Sequence, residues 1–303
     1  MKNLWLIGLL LVILAAGCSS GSDTDGGVVR DRDVPFVVLN SGYKMPVLGL
    51  GTWTQNDDTA ANSVYVAIKE GYRLIDTARY YGNESGVGKG IKRAIDEGLV
   101  TREEIFVTSK IMPGNYNTPE RAIDASLKSL GLDYIDLMLI HQPGYNDEEV
   151  YKALERGVKA GKLKSIGISN YYTPEEFERI NKIAEITPTV VQNENHIYYQ
   201  NTDLQEYLKR YGTIIESWYP FGGRGHTQEL FNDDTIKQIA DSHGKTSAQI
   251  ILRWHIQEGY VTIPGSQNSK HIAENIDVFD FALSDREMKE IENLNQNRRF
   301  ENW

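Results

Sequence analysis

The chain is poor in cysteine, with one, Cys18, among 303 residues. A lone cysteine makes no internal disulfide, so no bridge braces this fold or reports its redox compartment. Basic residues are outnumbered, 32 Lys and Arg against 42 Asp and Glu, for a formal net charge of −10. Such a surface repels phosphate backbones, which argues against a nucleic-acid partner. No apolar run reaches the roughly 20 residues of a membrane-spanning helix; the stretch from Leu4 to Ala16 stops short. The glycine-rich G-x-G-x-x-G turn is missing too, since Gly49-Leu50-Gly51-Thr52-Trp53 begins one without completing it. That absence weighs against an open, doubly wound dinucleotide-binding sheet. No linker interrupts the chain between Val34 and Asn297, and the length suits one α/β barrel.

What is present begins with the N-terminus. Met1-Lys2 precedes the apolar stretch, which ends in small residues at Gly17-Cys18, the layout of a secretory signal. Leu14-Ala15-Ala16-Gly17-Cys18 resembles a bacterial lipobox, in which the cysteine becomes the lipidated first residue. Residues 1–17 are therefore expected to be a lipoprotein signal peptide. Residues 18–33, rich in Gly, Ser and Asp, are expected to be a flexible tether, and 34–303 the folded domain. This predicts an exported protein, lipid-anchored through Cys18 to a bacterial membrane. Ser19 after the cysteine resembles the outer-membrane sorting class more than the retained one, so the outer-membrane or periplasmic face is expected rather than the cytoplasm.

From Val34 onward, short apolar runs alternate with amphipathic helical stretches. Pro35–Leu39 and Lys44–Leu48, joined at Asn40-Ser41-Gly42, predict a β-hairpin. Eight further runs follow, at 47–51, 73–77, 105–109, 135–140, 165–169, 190–194, 213–217 and 260–264. Most are apolar on both faces, as buried parallel strands should be. Helix signals lie between them: Thr118-Pro119-Glu120 and Thr173-Pro174-Glu175-Glu176 predict capped starts, and Ser284-Asp285-Arg286-Glu287 a capping box. The predicted class is α/β: a (β/α)8 TIM barrel with an N-terminal β-hairpin, expected to act as a monomer.

In such a barrel the C-terminal ends of the strands converge on one mouth. The second strand ends at Asp76, with Tyr81 just beyond, the third at Lys110, and the fourth at His141. Taken singly, each has a plain structural explanation as a cap, surface charge or satisfied polar residue; jointly they meet in one place. The set suits reduction of a carbonyl. Hydride addition puts negative charge on oxygen, and a proton must arrive with it. A buried ammonium beside a phenol favours the phenolate, so Lys110 is expected to lower the pKa of Tyr81, with Asp76 holding Lys110 charged. His141, as a neutral donor, would orient the substrate oxygen. No metal is needed.

These segments resemble the aldo-keto reductase superfamily over essentially all of Val34 to Arg299. The resemblance is carried by Gly71-Tyr72-Arg73-Leu74-Ile75-Asp76-Thr77-Ala78, Tyr81-Gly82-Asn83-Glu84, Thr108-Ser109-Lys110, Leu139-Ile140-His141-Gln142-Pro143, Gly167-Ile168-Ser169-Asn170 and Glu274-Asn275. It implies a catalytic tetrad of Asp76, Tyr81, Lys110 and His141, with Tyr81 as proton donor. It places Ser169, Asn170 and Gln192 at the nicotinamide carboxamide, Trp218 on the nicotinamide ring, and Ser266, Glu274 and Asn275 at the adenosine end. The segment Gly222-Gly223-Arg224-Gly225 becomes a loop over the pyrophosphate, and Trp53, Tyr80 and Gln142 become pocket walls. NADP(H) is the cofactor the family favours. Gly265 and His271 stand where relatives carry phosphate-binding cations, so NAD(H) stays open, with Lys270 as a substitute cation. Gln142 replaces a Trp found in many relatives, which hints at small polar or sugar-derived carbonyls. Arg298–Trp303 resembles the substrate-flanking tail of short bacterial members. Two other classes compete: a non-catalytic barrel that binds a nicotinamide cofactor as sensor or partner subunit, and a barrel lyase or isomerase acting on phosphorylated sugars.

Overall fold

The computed structural model describes residues 34–301. The signal segment, Cys18, the tether, and Asn302 and Trp303 of the tail lie outside the described residues.

The hairpin forms as β1 (Phe36–Val38) and β2 (Lys44–Pro46), antiparallel. The eight apolar runs become β3 (Leu50–Gly51), β4 (Leu74–Asp76), β5 (Phe106–Ile111), β6 (Ile135–Ile140), β7 (Leu163–Ser169), β8 (Val190–Glu194), β9 (Ile214–Trp218) and β10 (Val261–Thr262), all parallel and hydrogen-bonded in sequence order. The sheet closes on itself. Gly49 N donates to Thr262 O at 2.9 Å, Thr262 N donates to Val47 O at 3.0 Å, and Gly51 bridges Gly265. This is the (β/α)8 barrel.

Helices alternate with the strands: α1 (Asp57–Lys69), α2 (Glu84–Asp96), α3 (Pro119–Leu130), α4 (Asp147–Lys159), α5 (Pro174–Asn181), α6 (Thr202–Leu208), α7 (Thr227–Phe231), α8 (Asp234–His243), α9 (Ser247–Gln257), α10 (Ser269–Ile276) and α11 (Asp285–Glu292). Capping boxes start α5 at Thr173 and α11 at Ser284, as their sequences predict. The expected Thr118 cap does not form; its side chain makes no capping hydrogen bond. Proline at the first helical position is not the cause, since Thr173 caps α5 ahead of Pro174; Thr118 sits at φ −144° and ψ 54°, away from the extended backbone that Thr173 adopts at ψ 155°.

Two apolar layers hold the barrel. One lies between strands and helices. Inside, Leu39 and Met45 of the hairpin segment join Leu74, Phe106, Val190 and Val261, the first residues of their strands. The hairpin thus covers the end where strands begin, leaving the opposite mouth open for chemistry.

Candidate active site

Each predicted catalytic side chain is positioned by its strand. Asp76 is the last residue of β4, and a 3-10 turn over Arg79–Tyr81 carries the chain on to Tyr81. That turn is closed by Gly82 at φ 69°, a left-handed geometry that costs glycine little. Lys110 lies within β5 rather than beyond it, and His141 directly follows β6. Lys110 is fully buried. Its Nζ donates to Asp76 Oδ1 at 2.7 Å, Asp76 Oδ2 at 2.8 Å, Thr77 O at 2.9 Å and Tyr81 Oη at 3.1 Å. The His141 ring sits edge-on to Tyr81 with centroids 5.7 Å apart, and its Nδ1 is buried without a partner.

The electrostatics differ from expectation at one point. Burial pulls the Lys110 ammonium down, and Asp76 with Tyr81 more than offsets this, so Lys110 sits above its ordinary value and stays charged. Burial pushes Asp76 up against the pull of Lys110. Tyr81, expected to be lowered, is instead pushed up to about 12, chiefly by burial. Lys110 does act to lower it, but Asp76 opposes that effect, because the ammonium is already paired with a carboxylate. The phenol therefore stays protonated through the neutral range, the state a proton donor requires. Burial, with Lys110 adding to it, holds His141 well below its ordinary value, hence neutral.

Above these groups opens a cavity of about 410 Å³, within the size range of small-molecule sites. Its lining brings together Asp76, Tyr81, His141, Ser169, Asn170, Gln192, Trp218 and Ser266, along with Trp53, Tyr80 and Gln142. Trp53 stacks on Tyr80 at 5.9 Å. Ser169 Oγ donates to Gln192 O at 2.7 Å, and Asn170 Nδ2 to His141 O at 2.8 Å. Glu274 and Asn275 are not in this lining: both lie on α10, and Glu274 Oε1 accepts from Thr246 Oγ1 at 2.8 Å. Lys270 and His271 lie exposed in the first turn of α10.

The lining also holds Tyr219, to which the sequence alone assigns no role. Tyr219, at φ 52°, accepts a hydrogen bond from Trp53 Nε1 at 3.1 Å, joining the loops after β3 and β9. A Cβ on Gly223 would fall 2.2 Å from the Tyr219 ring, so glycine lets the loop carrying Arg224 lie on it. Phe300 of the tail stacks between His196 (4.4 Å) and His226 (3.8 Å), and its N–H donates to buried Glu194 at 2.5 Å. Hydrophobic patterning carries no signal for such loop-to-loop contacts.

Asn83, outside the lining, is another residue to which the sequence alone assigns no role. Fully buried, it donates to Thr52 O at 2.8 Å and Gln55 O at 3.0 Å and accepts from Thr77 Oγ1 at 2.9 Å, tying the Tyr81 turn to the Trp53 loop. Asn83→Ala strands those groups, and unfolding free energy is expected to fall by about 2–3 kcal/mol. Urea denaturation checks this; a loss under about 0.5 kcal/mol, the size of a neutral surface change, contradicts it.

The residues present suit a nicotinamide dinucleotide. The Gln192 amide donates both its N–H groups to buried carboxyls, leaving Oε1 as an acceptor at the cavity wall, and Trp218 offers a flat indole there.

Comparison with known proteins gives a consistent result. The Aldo/keto reductase family profile matches residues 47–296. The chain is similar to glyoxal reductase of Bacillus subtilis, 43% identical over 87% of this chain and 94% of that one. It is 41% identical to the NAD(P)H-dependent D-xylose reductase I,II of Candida tropicalis, over 88% of this chain and 94% of that one. A solved Bombyx mori aldo-keto reductase in complex with NADP superposes with a TM-score of 0.83 at 36% identity, covering 88% of this chain and 94% of that one.

Proposed function

The chain belongs to the aldo/keto reductase family, and from that premise we propose that it is an NAD(P)H-dependent oxidoreductase reducing aldehydes or ketones to alcohols. The observation that carries this reading is the run Asp76–Lys110–Tyr81, hydrogen-bonded end to end beneath a cavity that also holds His141. When bound, the cofactor supplies the hydride. Tyr81 gives its phenolic proton to the substrate oxygen as charge develops there, and Lys110 stabilises the phenolate left behind. Asp76 keeps Lys110 charged and fixed, while neutral His141 orients the carbonyl oxygen. Ser169, Asn170 and Gln192 hold the carboxamide, Trp218 backs the ring, and Ser266, Glu274 and Asn275 are assigned to the adenosine end by resemblance, only Ser266 among them lining the cavity.

Small polar or sugar-derived carbonyls are the proposed substrates. Gln142 in the wall and the similarity to glyoxal and xylose reductases support this. The test is loss of absorbance at 340 nm across a carbonyl panel that includes glyoxal and D-xylose. Cofactor binding without turnover on any substrate would point instead to a non-catalytic cofactor-binding barrel, which no feature of the site favours.

NADP(H) is the proposed cofactor. With Gly265 and His271 supplying no firm cation, the preference rests on Lys270 and is expected to be modest. An exposed ion pair contributes at most about 1 kcal/mol, so kcat/KM with NADPH should exceed that with NADH by about fivefold. An NADH advantage contradicts the choice.

We further propose export and lipid attachment at Cys18. The Leu14–Cys18 motif supports this reading. Cells fed radiolabelled palmitate should label the protein, and Cys18→Ser should abolish the label and release the protein from the membrane fraction; label retained by the variant rules the site out.

A further inference from the structure

Glu216 sits in the interior of β9, fully buried, in a stretch otherwise apolar up to Ser217. Its Oε2 accepts from Gln192 Nε2 at 2.7 Å, while the same nitrogen donates to Asp76 Oδ2 at 2.8 Å. Glu216 Oε1 is buried with no partner. The charged groups that bear on it are Asp76 on β4 and Lys110 on β5; its register partners, Gln192 on β8 and Val261 on β10, are uncharged. Lys110 is already engaged by Asp76, Thr77 and Tyr81. Two carboxyls thus share one ammonium in a dry interior. Leaving both ionised would bury an uncompensated negative charge, which is costly. A proton on Glu216 removes that charge, and the orphaned Oε1 is the atom free to carry it.

We propose that Glu216 is a positioning residue: as a neutral carboxylic acid it holds the Gln192 amide in one orientation, both N–H groups turned to carboxyls and Oε1 left to accept from the nicotinamide carboxamide. The proposal rests on the cofactor reading given above. Gln192 cannot flip without setting its carbonyl oxygen against the Asp76 carboxylate and the Glu216 acceptor. The neutral state agrees with burial, reinforced by Asp76, pushing the Glu216 carboxyl up to about 8.

Two variants and two readouts test this. Glu216→Gln mimics the protonated acid and keeps the acceptor; Glu216→Leu removes it. Quenching of tryptophan fluorescence in the cofactor-free protein gives the Kd of NADPH and NADH. We expect Glu216→Leu to weaken binding about 10-fold, the order of one lost hydrogen bond, raising cofactor KM with kcat nearly unchanged. Glu216→Gln should restore most of the affinity. Wild-type-like binding by Glu216→Leu overturns the positioning role. Binding by Glu216→Gln as weak as that of Glu216→Leu would mean that the charge, not the neutral acid, matters.

The second readout needs no cofactor. A carboxyl whose folded pKa is raised above its unfolded value of about 4.5 contributes stability below that pH and loses it as pH rises through the folded value, about 8. The Tm of Glu216→Gln should therefore match wild type near pH 5 and exceed it by several degrees at pH 9. A difference that does not change with pH overturns the neutral acid. If wild type binds neither dinucleotide, the cofactor reading fails and the positioning role with it, while the melting comparison still judges the proton.

Discussion

Tyr81→Phe is expected to lower kcat for carbonyl reduction by about 1000-fold or more, within the range a positioned general acid contributes. Cofactor affinity should stay within about threefold, since the phenol hydroxyl is not among the groups assigned to the dinucleotide. The variant removes one oxygen from a site whose remaining contacts persist: Lys110 keeps both Asp76 oxygens and Thr77 O. The ring stays packed against Trp53 at 4.7 Å. Stability should therefore change little, and the activity loss reports chemistry, not folding. Single-turnover measurement of cofactor oxidation with excess substrate checks this directly. Turnover within about tenfold of wild type would remove Tyr81 as proton donor.

Lys110→Met attacks both chemistry and fold. It leaves Asp76 buried, bonded to Gln192 but without a cation. Breaking a buried ion pair from one side costs about 3–5 kcal/mol. The same change strips the phenolate of its ammonium, so kcat should fall about as far as in Tyr81→Phe. The double variant Asp76→Asn/Lys110→Met separates the two effects. It removes the stranded charge and should recover most of the stability, because a neutral pair of similar volume is tolerated in an interior. Activity should not return, because no ammonium remains. A double variant that regained turnover would show that Lys110 serves the fold and not the proton transfer.

Much of this protein is legible from residue order. The run at 135–140 predicts β6 to the residue, because a strand buried on both faces is nearly all apolar, while the run at 190–194 matches β8 although only Val190 and Val191 in it are apolar. Strand order then delivers Asp76, Lys110 and His141 to one mouth, since parallel strands in a barrel share their C-terminal end. Local signals were weaker at Thr118, where the backbone departs from the extended geometry of a capping residue although the same Thr-Pro pair caps α5. Glu216 was visible as an acid in an apolar strand, but its partners lie 24 and 140 residues away in sequence, counted to Gln192 and Asp76.

Residue order by itself thus determined the barrel, the family resemblance and which polar side chains point into its mouth, since periodicity and strand direction are local properties. Tertiary structure alone decided the closing contacts between Gly49 and Thr262, the placement of Glu274 and Asn275 off the cavity, and the direction of the Tyr81 shift. The reason is that a pKa depends on burial and on whether a neighbouring charge is already paired. Both are set by distances between strands far apart in the chain.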